Sequence, residues 1–155
     1  MAAMRTDDFL LVADRALDGM ARIVADLGDD LANRPPDLPG ANSPYQLLTH
    51  CLGMLEYWAG ELVAGRRIER DRDAEFTASG PAAPLAERTA SAKAQLRKDV
   101  AALRPGARLN PSHRSWIPPE HQMTQETALL HAIEELCQHH GHMEITRDLL
   151  LAAAQ

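Results

Sequence analysis

The sequence holds only two cysteines, Cys51 and Cys137. They form neither a disulfide framework nor a CxxC motif, so secreted disulfide scaffolds and paired-Cys zinc modules are excluded. Aromatic residues are 4% of the chain, which leaves a core of aliphatic side chains, largely Leu and Ala. Basic charge is also short: 16 Lys and Arg stand against 22 Asp and Glu, a net charge of -6. With neither a basic excess nor a basic stripe, no nucleic-acid partner is expected. No run of eighteen apolar residues occurs, so neither a transmembrane helix nor a membrane partner is expected. Residues 1–10 lack the basic-then-apolar layout of a signal peptide. A cytoplasmic, reducing location is the resulting expectation. No Ser-His-Asp set, no phosphate loop and no internal repeat is recognisable, and no segment alternates apolar and polar residues as a half-buried strand would.

What is present is helical periodicity. Phe9, Leu10, Ala13, Leu17, Met20, Val24 and Leu27 recur at three- and four-residue steps and predict a first helix over 7–32. Pro35, Pro36, Pro39 and Gly40 break it. In Ser43-Pro44-Tyr45-Gln46, Ser43 can cap, Pro44 suits the first helical position, and Gln46 can close a capping box. A second helix follows to about residue 64, with Leu48, Cys51, Leu52, Leu55, Trp58, Ala59 and Leu62 as its buried stripe. Residues 66–84 read as a long connection. A third helix is expected over 85–103, with Leu85, Ala92, Leu96 and Leu103 inward. A second long, Pro-rich connection contains Trp116, Ile117, Pro118 and Pro119. The last helix opens near Thr124 and runs to about Ala153, with Leu129, Ala132, Ile133, Leu136, Cys137 and Met143 on its core face. The fold class is therefore all-α. Four helices of this length are the parts of a four-helix bundle, and the 155 residues are expected to form one domain. Two long connections argue for crossovers or functional loops.

Five of the seven histidines lie between His121 and His142. On a helix, Glu135 and His139 stand four apart on one stripe, and His142 extends it. A helical wheel places that stripe beside the apolar face, where a side chain enters a bundle from its edge. His50, in the second turn of the second helix, is the other candidate. Helix rise puts His50 roughly 10 Å and His139 roughly 22 Å from the starts of their helices, so an antiparallel pairing brings them level more easily than a parallel one. Two imidazoles and a carboxylate are a recurrent set for a divalent metal, and three protein ligands leave a position open for water or substrate. Each residue also has a plainer reading. His50 alone could be a core or capping residue, and Glu135 with His139 an ordinary helix-surface pair. His140 points to the apolar stripe and reads as a buried, hydrogen-bonded histidine. His113, His121 and His131 read as surface or loop residues, and Cys51 and Cys137 as core thiols. The run 66–73 is mixed in sign and reads as a solvated face, with the mouth of a site as its alternative.

His50 in the second helix, together with Ile133-Glu134-Glu135-Leu136-Cys137-Gln138-His139-His140-Gly141-His142 in the last, resembles the DinB-like superfamily. Within it the similarity points to the actinobacterial branch that includes mycothiol-dependent maleylpyruvate isomerase and thiol S-transferases. The resemblance spans nearly the whole chain. It implies a bundle in up-down-down-up order, with long links between helices 2 and 3 and between helices 3 and 4. It also implies His50, Glu135 and His139 as metal ligands, with zinc foremost and nickel or iron as other occupants. Mycothiol or a similar small thiol would be cosubstrate, an electrophile the second substrate, and the oligomer a homodimer, for which Met54, Trp58 and Ile68 would offer an apolar edge. The activity so implied is a metal-dependent thiol S-transferase or isomerase. The alternative class is a non-catalytic stress-response bundle that binds metal or a small ligand, and a third reading is a helical dimer with no site.

Overall fold

Four long helices and one short one take up most of the described residues in the computed structural model, which describes residues 5–109, 117–118 and 120–154. They are α1 (Thr6–Ala32), α2 (Pro44–Leu55), α3 (Arg72–Glu75), α4 (Ala82–Ala101) and α5 (Gln125–Ala153), and α2 runs on into a π-helical segment, Glu56–Glu61. Among the described residues there is no strand; one isolated bridge joins Arg108 and Thr124. The all-α class read from the sequence is what the chain adopts. The expectations for His113, Trp116 and Pro119 lie outside the described residues.

The helix starts follow local chemistry. The Ser43 hydroxyl accepts from Gln46 N–H at 3.2 Å, and Gln46 Oε1 accepts from Ser43 N–H at 2.8 Å, a complete capping box that anchors α2. Thr124 caps α5 in the same reciprocal manner with Thr127. Capping of α4 comes from elsewhere in the chain. Asp29 Oδ1, at the end of α1, accepts from Ala82 N–H at 2.8 Å. A cap supplied from 53 residues away explains why α4 begins three residues before the position its own periodicity suggests.

The core is aliphatic. Leu17 and Met20 of α1, Leu48 of α2, and Leu129, Leu136 and Met143 of α5 are fully buried. Leu85, Leu96 and Val100 bring α4 into the same cluster. Lys93 meets Asp18 and Arg97 meets Asp14, so α4 runs opposite to α1. Gln125, at the start of α5, donates from Nε2 to the carbonyls of Val63 (3.1 Å) and Leu62 (3.4 Å), which follow the π-helical segment. The π-helical widening shows as i to i+5 hydrogen bonds, Leu62 N to Tyr57 O at 3.1 Å and Ala64 N to Ala59 O at 3.0 Å.

Three sequence expectations need correcting here. Cys137 is exposed, not a core thiol, because it sits one residue past the buried line of Leu136. Met54 and Trp58 are only 2% and 5% exposed, so they cannot form the apolar dimer edge read from them. Trp58 lies inward, as the buried stripe of the second helix implied, and the π-helical segment also turns Tyr57 inward, which a regular 3.6-residue wheel does not foresee. The run 66–73 is not a uniformly solvated face. Arg66 makes a bidentate pair with buried Asp99, with both bonds at 2.9 Å, and Arg70 turns inward as described below.

Near its end α1 also breaks, at Gly28, whose φ of 67° and ψ of -179° lie in a region open essentially to glycine alone. No atom lies within 4 Å of a Cβ built there, so a side chain would meet only backbone strain. Gly141, within α5, likewise has open space around a built Cβ, but in ordinary helix. The same substitution should therefore act with opposite signs: Gly28→Ala destabilises by about 1–3 kcal/mol, whereas Gly141→Ala stabilises by about 0.5–1 kcal/mol. Urea unfolding of the two variants measures both, and a loss of stability in each would contradict the assignment of Gly141 to regular helix.

Candidate metal centre

Glu135 and His139 project from successive turns of α5, and His50 faces them from the second turn of α2. The helices run in opposite directions here: His50 lies level with Glu135 and His139, Trp58 with His131, and residues 62–63 with Gln125. One donor atom from each of His50, Glu135 and His139 falls within 4.8 Å of the others. Glu135 Oε2 lies 3.9 Å from His50 Nε2 and 3.4 Å from His139 Nε2. The two imidazole rings meet edge to face, with centroids 5.0 Å apart. His142 stands further out. It is exposed, and its ring centroid is 6.1 Å from that of His139.

His50 is held by groups the sequence reading did not single out. Its Nδ1 lies 2.9 Å from Oε2 of Glu75, a buried carboxylate at the end of α3. Glu75 in turn accepts two hydrogen bonds from Arg70, from Nε at 2.7 Å and from Nη2 at 2.8 Å. The Glu75 carboxylate, paired with Arg70, accepts a hydrogen bond from Nδ1–H, the tautomer that leaves the lone pair on Nε2, the atom turned toward Glu135. A carboxylate behind a ligating imidazole is the usual way a metal-binding histidine is oriented. On the other side, the ring of Phe76 stacks on His50 at 4.7 Å. Space for the Glu75 carboxylate comes from Gly53 of α2, where a built Cβ would lie 2.0 Å from Oε1.

The local charge state suits a cation. The neighbouring imidazoles of His139 and then His50 hold Glu135 well below the ordinary carboxylate range, against the opposing effect of its partial burial. It is an anion at neutral pH, flanked by two imidazole nitrogens. Desolvation, followed by the proximity of His139, lowers the pKa of His142. Burial, and then the charges of Glu135 and Glu75, push the Cys51 thiol far up, so Cys51 is a neutral core thiol and not a nucleophile. One anionic carboxylate, two imidazoles and a supported tautomer fit a divalent ion of the zinc type.

A cleft of about 590 Å³ opens onto His50 and Glu135. Met54, Tyr57, Trp58 and Ile68 supply its apolar lining, and Arg70 and Arg72, before and at the start of α3, its cationic lining. His131 belongs to this cleft and not to the surface. Its ring meets Trp58 edge to face at 4.6 Å, and its Nε2 lies 3.8 Å from Glu135. The i, i+4 spacing from His131 to Glu135 carried that signal, since it repeats the step from Glu135 to His139. His140 is half-buried between α5 and α1 and not enclosed in the core; it lies over Gly19, where a built Cβ would be 2.1 Å from Nε2. His121 is exposed, as expected. Glu75 carried no local signal and Arg70 only its place in the run 66–73, whose alternative reading was the mouth of a site, because their partner is 20 to 25 residues away.

The sequence matches the family model described as Mycothiol-S-transferase over residues 9–152. No curated protein matches it. Among solved structures, the fold is similar to the crystal structure of a conserved protein from Enterococcus faecalis, with 18% identity and a TM-score of 0.71 over 97% of this chain and 99% of that one.

The Gly53–Glu75 contact has a measurable consequence. In an open helix Gly→Ala is favourable, but here the methyl group would displace a buried, doubly paired carboxylate. Gly53→Ala should destabilise the protein by about 1–3 kcal/mol in urea unfolding. Unchanged or increased stability would show that Glu75 does not occupy this niche.

Proposed function

The chain belongs to the mycothiol S-transferase family, and from that premise we propose that it is a divalent-metal-dependent enzyme that joins a small thiol, mycothiol, to an electrophile. The observation that carries this reading is the convergence of His50, Glu135 and His139 beside a cleft, with the lone pair of His50 Nε2 presented by Glu75. These three residues would hold the metal, and zinc suits the donor set best, with nickel or iron also compatible. A divalent ion held there would supply Lewis acidity, which lowers the pKa of a bound thiol toward neutrality. The chain's own residues do the rest. Glu135 contributes the anionic charge, Glu75 and Arg70 orient His50, and Met54, Tyr57 and Trp58 exclude water from the apolar side of the cleft. No helix in the described chain is long and apolar enough to cross a membrane.

The arrangement of helices belongs to the same reading. Opposed contacts between α1 and α4 and between α2 and α5 support a single-domain four-helix bundle in up-down-down-up order. Leu52 and Leu55 line one crevice with Ala92 and Leu96, and Arg66 beyond α2 pairs with Asp99 near the end of α4, which supports α2 and α4 as the parallel pair.

Metal analysis of the purified protein, followed by mycothiol conjugation with and without metal, tests the proposal. His139→Ala should lower zinc affinity by orders of magnitude while the helical circular dichroism is retained, since a chain of this length does not need a metal to build its core. Glu75→Gln, which touches no metal, should lower it by about 10–100-fold. If His142→Ala lost the metal and His139→Ala kept it, the ligand would be one step along the stripe. Metal binding without any conjugation would favour the non-catalytic bundle, and indifference to both changes would remove the site.

A further inference from the structure

The α3 side of the cleft carries two arginines, and only one of them is satisfied. Arg70 spends Nε and Nη2 on Glu75. Arg72 also lines the cleft and is exposed, and among the described residues no carboxylate lies within ion-pair distance of it. Its position is nevertheless defined. Its guanidinium lies over the ring of Phe76, 5.2 Å from the centroid, and that ring stacks on His50. Arg72, Phe76 and His50 thus form a column from the cleft's edge to the metal centre, with a fork of N–H donors at its outer end. The same cleft, of about 590 Å³, is also lined by Met54, Tyr57, Trp58 and Ile68. That volume suits a small organic molecule. The other carboxylates of the cleft are Glu135, committed to its two histidines, and Glu61 on the side of α2.

We propose that Arg72 is the anion-binding residue of this cleft and that the electrophile is an apolar molecule bearing a carboxylate. The apolar body lies against Trp58 and Met54, and the carboxylate takes the open guanidinium fork, the geometry arginine is suited to. The chemistry rests on the transferase reading; the binding does not. With a bromomethyl arene as electrophile, the thiol sulfur forms the new C–S bond as the C–Br bond breaks. Bromide leaves with the bonding pair and the thiol proton passes to buffer, so no oxidant or reductant is needed.

The test pairs para-(bromomethyl)benzoate with benzyl bromide, which lacks the carboxylate, each with mycothiol and the zinc-loaded protein. Arg72→Gln should raise KM for the benzoate about tenfold, the loss of one charge-assisted contact at a solvent-open site. It should leave kcat and the KM for benzyl bromide unchanged. Arg67→Gln, an exposed arginine outside the cleft, should change neither. In parallel, para-methylbenzoate binding to metal-free protein, followed by NMR titration, should weaken by the same factor in Arg72→Gln. Equal effects on both electrophiles, no effect on either, or the same effect from Arg67→Gln would overturn the proposal. If neither electrophile reacts but para-methylbenzoate still depends on Arg72, the subsite stands and the transferase reading falls. If that binding is indifferent to Arg72, the subsite falls whatever the activity.

Discussion

The register of α2 against α5 is the constraint on which the candidate site depends. Donor atoms of His50, Glu135 and His139 converge within 4.8 Å. One helical turn is about 5.4 Å, so a slip of a single turn would carry His50 beyond reach of both partners. The register is set at the end of α2 by Gln125, whose amide takes the two carbonyls that follow the π-helical segment. The same side chain accepts Arg104 N–H at 2.7 Å, so it ties the entry to α5 as well. A buried glutamine that left any of these groups unpaired would be costly, which makes this join specific and not merely adhesive.

The bundle also buries charge, on α2, α3 and α4. His50, Glu75 and Asp99 are all buried, yet each is matched: His50 to Glu75, Glu75 to Arg70, Asp99 to Arg66 and Gln95. Both arginines come from the connection that precedes α3. Two glycines make the arrangement possible by removing side chains where these charges lie: Gly53 beneath Glu75 and Gly60 beneath the Arg66 guanidinium. The connection between α2 and α4 is therefore fastened to the bundle at two charged points. Between them it carries Arg70, Arg72, Glu75 and Phe76 to the cleft. Buried ion pairs of this kind gain little net stability, and their clearest effect here is to hold a segment and an imidazole in one orientation.

Much of this protein was legible in its sequence because the deciding information is local. Apolar periodicity, the Ser43-Pro44-Tyr45-Gln46 capping box and the Pro and Gly breaks determined four helices and the all-α class, since each depends on side chains within one or two turns of one another. The i, i+4 spacing of Glu135 and His139 determined that they share a stripe at the edge of the core. Only the tertiary structure decided what meets that stripe. Glu75 and Arg70 act on His50 across a connection whose path no periodicity describes. The α4 start depends on Asp29, and the inward turn of Tyr57 on a π-helical widening, after which the carbonyls of Leu62 and Val63 find Gln125 some 60 residues on. Helix formation and stripe membership are fixed by neighbours in the chain, but the partners of a buried charge are fixed by packing, and packing exists only once the helices have come together.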